Sequence, residues 1–186
     1  MNKTAVTEYH RLFLIERLPL PLEPKSAHLQ IFDNYIDGTR LRLRLVRDPA
    51  SKNWTRILQQ HIELDLENLG AAKLAEIHLN ETEYSNFEQF GGREIRKNRY
   101  FHEFDGSMFS FDVYLGELWG LNTARIEFPE PETMQNFEKP QFAIFEVTND
   151  PFFVGKNLVN NNFDDVRQRV QQSGALITYE RPEAED

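Results

Sequence analysis

The sequence predicts a mainly β fold of the α+β kind, an antiparallel sheet accompanied by a few helices. Three observations carry this. At least six segments alternate charged and apolar residues with period two, the repeat of a half-buried strand. Tight-turn signals, "DGT" at Asp37 and "DGS" at Asp105, join neighbouring segments as hairpins. The clearest helical pattern, "NFDDVRQRVQQSG", comes only near the end.

The elements follow in order. "TEYHRLFLIER" places Glu8, His10 and Leu12 on one face and Tyr9, Arg11 and Phe13 on the other. "PLPLEPK" breaks the alternation with three prolines and reads as an extended connector. "HLQIFDNYI" is a second strand and "RLRLRLVR" a third, with an arginine face and a leucine face. "RDPASKNW" turns the chain into "TRILQQHIEL". "AAKLAEIHLNETEYSNFEQF" is strand-like around Glu76 and His78, becomes helical by Phe87 and is broken at Gly91. "REIRKNRYFHEF" and "MFSFDVYLG" form a hairpin, and "TARIEF" sets Arg125 and Glu127 against Ala124, Ile126 and Phe128. "ETMQNFEK" reads as a short helix ended by Pro140, and "FAIFEVTND" as a late strand. The last helix spans 163–173, capped by Asn162 or Asp164 and ended by Gly174; an acidic tail follows over 180–186.

The charged strand faces carry Glu8, Arg42, Arg44, Glu76, Lys97, Arg99, Asp112, Arg125 and Glu127. Two arrangements suit them. On an open sheet these side chains meet water and acids simply mix with bases. In a closed barrel with its apolar face outward, they line a wet lumen.

Composition bounds the function classes. A chain of 186 residues with 40% hydrophobic and 27% charged residues reads as one globular domain, 1–186. Cysteine is absent, which removes disulfides, thiolate metal sites and cysteine nucleophiles. Thirty acids against 21 Lys and Arg argue against broad nucleic-acid binding. No apolar run reaches the roughly 20 residues of a membrane span, and the first residues lack the apolar core of a secretory signal, so a cytoplasmic location is expected.

The motifs resemble those of the CYTH, or triphosphate tunnel, family over residues 7–159. "IRKNRY" is similar to its K-x-R-Y strand, "RLRLR" to its R-x-R strand, and "FDVYLGELWGL" to its D-V-F-x-G…G-L segment. "ARIEF" resembles its E-x-E strand with Arg125 at the first acid, and "FEVTND" its E-V-T-x-D segment with Glu146 as the acid. The family's N-terminal E-x-E-x-K is thinned to Glu8, His10 and Leu12. "AEIHL" keeps Glu76 but has Leu74 at the earlier acid, and Phe152 and Phe153 replace an Arg-Tyr pair.

The resemblance implies a closed antiparallel eight-stranded tunnel with a charged lumen, flanked by a few helices. It places Arg42, Arg44, Lys97 and Arg99 as phosphate ligands and Glu8, Glu76, Asp112 and Glu127 as ligands of a divalent metal, Mg or Mn. Asp112 and Glu127 serve equally well as ion-pair partners of the cations. Tyr35, which pairs with the signature lysine in some members, becomes a candidate catalytic group without that partner. With Leu74 and Arg125 where carboxylates belong, magnesium finds few hard oxygens. A manganese-like ion accepts imidazole better, so His10 and His78 could assist it.

The expected function is binding of a triphosphate-containing small molecule or polyphosphate, with an eroded metal half and weak or absent phosphohydrolase activity. The alternatives are an active divalent-metal-dependent triphosphatase and, less favoured, an adenylyl cyclase. Neither nucleic acid nor membrane is an expected partner, and the sequence does not fix the oligomeric state.

Overall fold

The computed structural model of the chain describes residues 5–64 and 68–172. Eight strands, β1 (Val6–Leu14), β2 (Leu29–Ile36), β3 (Leu41–Arg47), β4 (Trp54–Glu63), β5 (Ala71–Leu79), β6 (Gly92–Phe104), β7 (Ser107–Tyr114) and β8 (Asn122–Phe128), form one antiparallel sheet. Its order is β5-β4-β3-β2-β6-β7-β8-β1, and pairing of β1 with β5 closes it into a barrel.

β1 is the seam. On one side it runs along β8, from Tyr9 opposite Phe128 to Leu14 opposite Thr123. On the other it pairs with β5 through Val6–Tyr9, and then with the two-residue strand β9 (Phe145–Glu146) through Phe13 and Leu14.

The hairpin turns follow the sequence signals. Asp105 and Gly106 both take positive φ, 49° and 71°, as the tight two-residue turn between β6 and β7 requires. Gly38, at φ 69°, turns β2 into β3.

Period two then sorts the faces. Arg42 and Arg44 line the lumen, while Leu43 between them is buried on the outer wall. That wall carries helix α1 (Glu81–Glu88), which packs on β3, β4 and β5 and buries Tyr84. A second outer cluster gathers Phe13, Tyr100, Phe109, Phe111 and Ile126 under Leu18, Leu22, Phe137 and Phe142. The proline-rich connector is part of this cover, and Tyr100 donates its hydroxyl to the Pro24 carbonyl at 3.0 Å.

The other α-helices among the described residues are α2 (Pro131–Gln135), α3 (Gly155–Leu158) and α4 (Phe163–Gln172). Val147, Phe153, Leu158, Phe163 and Val166 pack with Ile95 and Tyr114, so the C-terminal segment covers one end of the barrel. Asn162 caps α4 by accepting from the Asp164 and Asp165 amides. No helix among the described residues is long and apolar enough to cross a membrane.

Some boundaries differ from the sequence expectation. The helix expected by Phe87 begins at Glu81, where Asn80 and Glu83 form a reciprocal capping box. The strand expected over "FAIFEVTND" shrinks to β9, because a turn closed by Ala143 N–H on Pro140 O occupies the start of that stretch. The expected stop at Gly174 and the acidic tail at 180–186 lie outside the described residues.

Candidate functional site

Inward-facing residues of the strands surround a cavity of about 360 Å³. One half of its wall is cationic. β2 turns Asp33, fully buried, into the lumen, and Arg44 grips it with two parallel hydrogen bonds of 2.6 and 2.8 Å from Nε and Nη2. Arg42 approaches the same carboxylate at 3.5 Å. The pattern repeats in the neighbouring hairpin of the same wall. Asp112 on β7 accepts two bonds of 2.7 Å from Arg99 on β6, and Lys97 lies 2.7 Å away.

Each of these carboxylates therefore serves two cations, so four cations are matched by two acids. Burial alone would raise both carboxyls. Arg42 and Arg44 outweigh it at Asp33, and Arg99 and Lys97 at Asp112, holding both well below the usual carboxylate range. Burial pushes Lys97 down to about 8 against the pull of Asp112, with Arg99 adding to the depression.

Arg42 is fixed by further contacts. Its Nη1 donates to the Tyr35 hydroxyl at 3.1 Å, and its Nε and Nη2 reach Gln59 Oε1 at 2.8 and 2.5 Å. The amide nitrogen of Gln59 in turn donates to Glu76 Oε1. A relay from β3 through β4 to β5 thus ends on Glu76, and it fixes which way the Gln59 amide faces.

The opposite wall is mixed. Arg125 on β8 lies 3.2 Å from Glu8 on β1 and 3.2 Å from Glu127 on its own strand. Its Nε is buried and, although close to Glu127, makes no hydrogen bond. Burial, then repulsion from Arg99 and Arg42, pushes Arg125 below its ordinary value despite the two acids. His10 and His61 also line the cavity. Burial first, and Arg125 with it, keeps His10 well below the normal imidazole value. His61 falls to about 4 through burial, Arg42 and Arg125.

No family model matches the chain. It is similar to the inorganic triphosphatase of Acetivibrio thermocellus, 38% identical over 74 residues, 40% of this chain and less than half (46%) of that protein's length. It is also similar to the inorganic triphosphatase of Nitrosomonas europaea, 27% identical over 160 residues, 82% of this chain and 97% of that one. The crystal structure of the inorganic triphosphatase NE1496 superposes with a TM-score of 0.56, 25% identity, 83% of this chain and 95% of the other. Together these similarities in sequence and fold support a member of the triphosphate tunnel family.

Against the family pattern, all nine residues predicted for the site face one tunnel: Tyr35, Arg42, Arg44, Lys97, Arg99, Glu8, Glu76, Asp112 and Glu127. Their partners divide them differently from the ligand sets that the resemblance implied. Asp112 is enclosed with Lys97 and Arg99, Glu8 and Glu127 share Arg125, and Glu76 holds Gln59. Among the described residues no group of three His, Asp or Glu side chains converges as a metal site needs. The donor set present does not fit a divalent ion in this arrangement.

Two further expectations change. His78 is exposed and does not line the cavity; the second tunnel imidazole is His61. Glu146 does not line the cavity either, because it accepts two hydrogen bonds from Arg11, at 2.8 and 2.5 Å, and one from Thr148. That cluster fastens β9 to β1.

Sequence reasoning also missed Asp33, Gln59, His61 and Lys156. Lys156, on α3 at the cavity mouth, pairs with Glu63 at 2.7 Å. Asp33, Gln59 and His61 all sit at inward positions of alternating strands, which was the available signal.

Proposed function

We propose that the tunnel binds inorganic triphosphate or a short polyphosphate, and that its divalent-metal-dependent hydrolysis is weak or absent. The observation that supports binding is the sharing of two buried carboxylates among Arg42, Arg44, Lys97 and Arg99. Such an arrangement is under-neutralised, and an anion in the cavity supplies the missing charge. Arg44 and Arg99 spend Nε and Nη2 on their carboxylates. Each guanidinium has five N–H groups, so donors remain for phosphate oxygens. The carboxylates act as supports that hold the cations in place before the ligand arrives.

Weak turnover is the reading that the acids' partners support. Phosphoryl transfer relies on positioned cations and metal to stabilise charge on the transferred group. Here the acids at the expected metal positions are engaged by Arg125, Gln59, Lys97 and Arg99. The second reading is an active metal-dependent triphosphatase. It is favoured by the similar proteins, two of which are named inorganic triphosphatases.

The test is a thermal-shift series with tripolyphosphate, ATP, thiamine triphosphate and orthophosphate, with and without Mg²⁺ or Mn²⁺. Tripolyphosphate is expected to stabilise the protein more than orthophosphate, because it engages more cations at once and binds only the folded state. Arg42→Ala with Lys97→Ala should abolish that shift. An unchanged shift in the double variant places the anion elsewhere. Brisk phosphate release by the wild type with Mg²⁺ overturns the weak-turnover reading in favour of the second.

A further inference from the structure

Arg125 stands on the mixed wall of the tunnel, between two acids and at a position where the family pattern has a carboxylate. Its guanidinium bridges Glu8 and Glu127, which come from different strands. This is a cation between two acids, the electrostatic arrangement that a divalent ion would otherwise create. The side chain is not merely closing an ion pair on the surface, since Arg125 is 22% exposed and its Nε has no hydrogen-bond acceptor. It also lies within electrostatic reach of Arg42 and Arg99, so three guanidiniums from three strands approach one region of the lumen. Each of the three is held by the barrel: Arg42 by Gln59, Arg99 by Asp112 and Arg125 by Glu8. Like charges gathered in this way are stabilised by an anion placed among them.

We propose that Arg125 is a fifth anion ligand, a built-in cation that takes the charge-bridging place of the divalent metal and makes triphosphate binding metal-independent. The inference rests on the reading of the tunnel as a triphosphate site. Glu8 and Glu127 then act as positioning residues for a guanidinium. A free divalent ion has to displace Arg125 before it can reach them, and added metal gains no new bridge between protein and anion.

The experiment is calorimetric titration of tripolyphosphate into the full chain, once in EDTA and once with Mg²⁺ or Mn²⁺ in excess of the anion. The wild type should bind in EDTA, and metal should not tighten binding. Arg125→Gln should weaken binding in EDTA about tenfold or more, the worth of one charge-assisted contact. It should also become tighter with metal, because Glu8 and Glu127 are freed. Arg125→Lys, which keeps the charge, should fall between wild type and Arg125→Gln. Wild-type binding that requires metal, or is tightened more than about threefold by it, overturns the proposal, as does an Arg125→Gln variant that binds like wild type in EDTA. If Arg125→Gln fails to fold, the wild-type comparison together with Arg125→Lys decides: the proposal stands only if the wild type binds without metal and the lysine variant binds more weakly than wild type in EDTA. No binding of tripolyphosphate in either buffer refutes the underlying triphosphate reading instead, which is a separate result.

Discussion

Gly155 stands so near Tyr35 that a Cβ on the glycine would overlap the phenol hydroxyl. That hydroxyl also accepts from Arg42, so the first residue of α3, the tyrosine and a tunnel arginine form one contact chain. Gly155→Ala is expected to destabilise the protein by about 1–3 kcal/mol, the usual cost of overpacking. In a Tyr35→Ala background the same change should cost at least about 1 kcal/mol less. Chemical denaturation of the four proteins gives the coupling. Additive effects would show that the two residues do not meet.

Asp112→Asn should be more damaging than Lys97→Met. The first leaves Lys97 and Arg99 buried without their carboxylate, a loss of about 3–5 kcal/mol. The second leaves Asp112 held by both bonds from Arg99, and should cost at least about 2 kcal/mol less. Urea midpoints at pH 7 test the order, and the reverse order would be fatal to it.

Acid should act through the same carboxylates. Asp33 and Asp112 are held below their unfolded values, so their stabilisation is fully present above about pH 4 and is lost as pH falls towards the folded values. In Asp112→Asn that acid-sensitive share should shrink. Thermal melts from pH 7 down to pH 2 measure it, and identical slopes for the two proteins would contradict the assignment.

Alkali should act on anion affinity through Lys97. Its amine is depressed to about 8 in the free protein, and an anion binds the protonated form more tightly than the neutral one. Affinity for tripolyphosphate should therefore fall as pH rises through 8, by roughly three- to tenfold between pH 7 and pH 9.5. Lys97→Arg should flatten the profile, because arginine stays charged throughout. The ligand's own ionisation is common to both titrations, so the difference between them reports Lys97. Parallel profiles would remove Lys97 from the site.

His10→Glu, Leu12→Lys and Arg125→Glu together restore acids and a lysine at the positions where the family carries them. The two glutamates should raise metal affinity, and the lysine, facing the lumen with Tyr35, should raise turnover. The triple variant is expected to release phosphate from tripolyphosphate faster than wild type, and only with Mg²⁺ or Mn²⁺. A phosphate-release assay with metal titrated tests this on folded protein. A triple variant no faster than wild type at saturating metal counts against the eroded-site account.

The cationic half of this tunnel was legible because Arg42, Arg44, Lys97 and Arg99 recur with period two, and inward direction follows from period alone. Their supports were harder to see. Asp33 shares its face with Ile31 and Tyr35, so that face of β2 does not read as charged. Gln59 and His61 are uncharged and fall between isoleucines and glutamines. The pairing of Asp112 with Arg99 follows from the register that the Asp105–Gly106 turn sets, but nothing in the motif shows that Lys97 reaches the same carboxylate. α3 has four residues, too few to show a helical period, although it brings Gly155 and Lys156 to the tunnel mouth.

The double pairing of β1 has a consequence for how the protein is made. Leu14 must meet Thr123 and Phe145, and Val6 must meet Leu74. Contacts this distant in sequence are slow to form. Until residue 146 has left the ribosome, the flank of β1 that β9 later covers stays open, next to apolar Phe13 and Leu14. An open strand flank is a template for another chain's strand. Yield on refolding should therefore fall as chain concentration rises, and a nascent chain halted at about residue 140 should aggregate where one released past residue 150 does not.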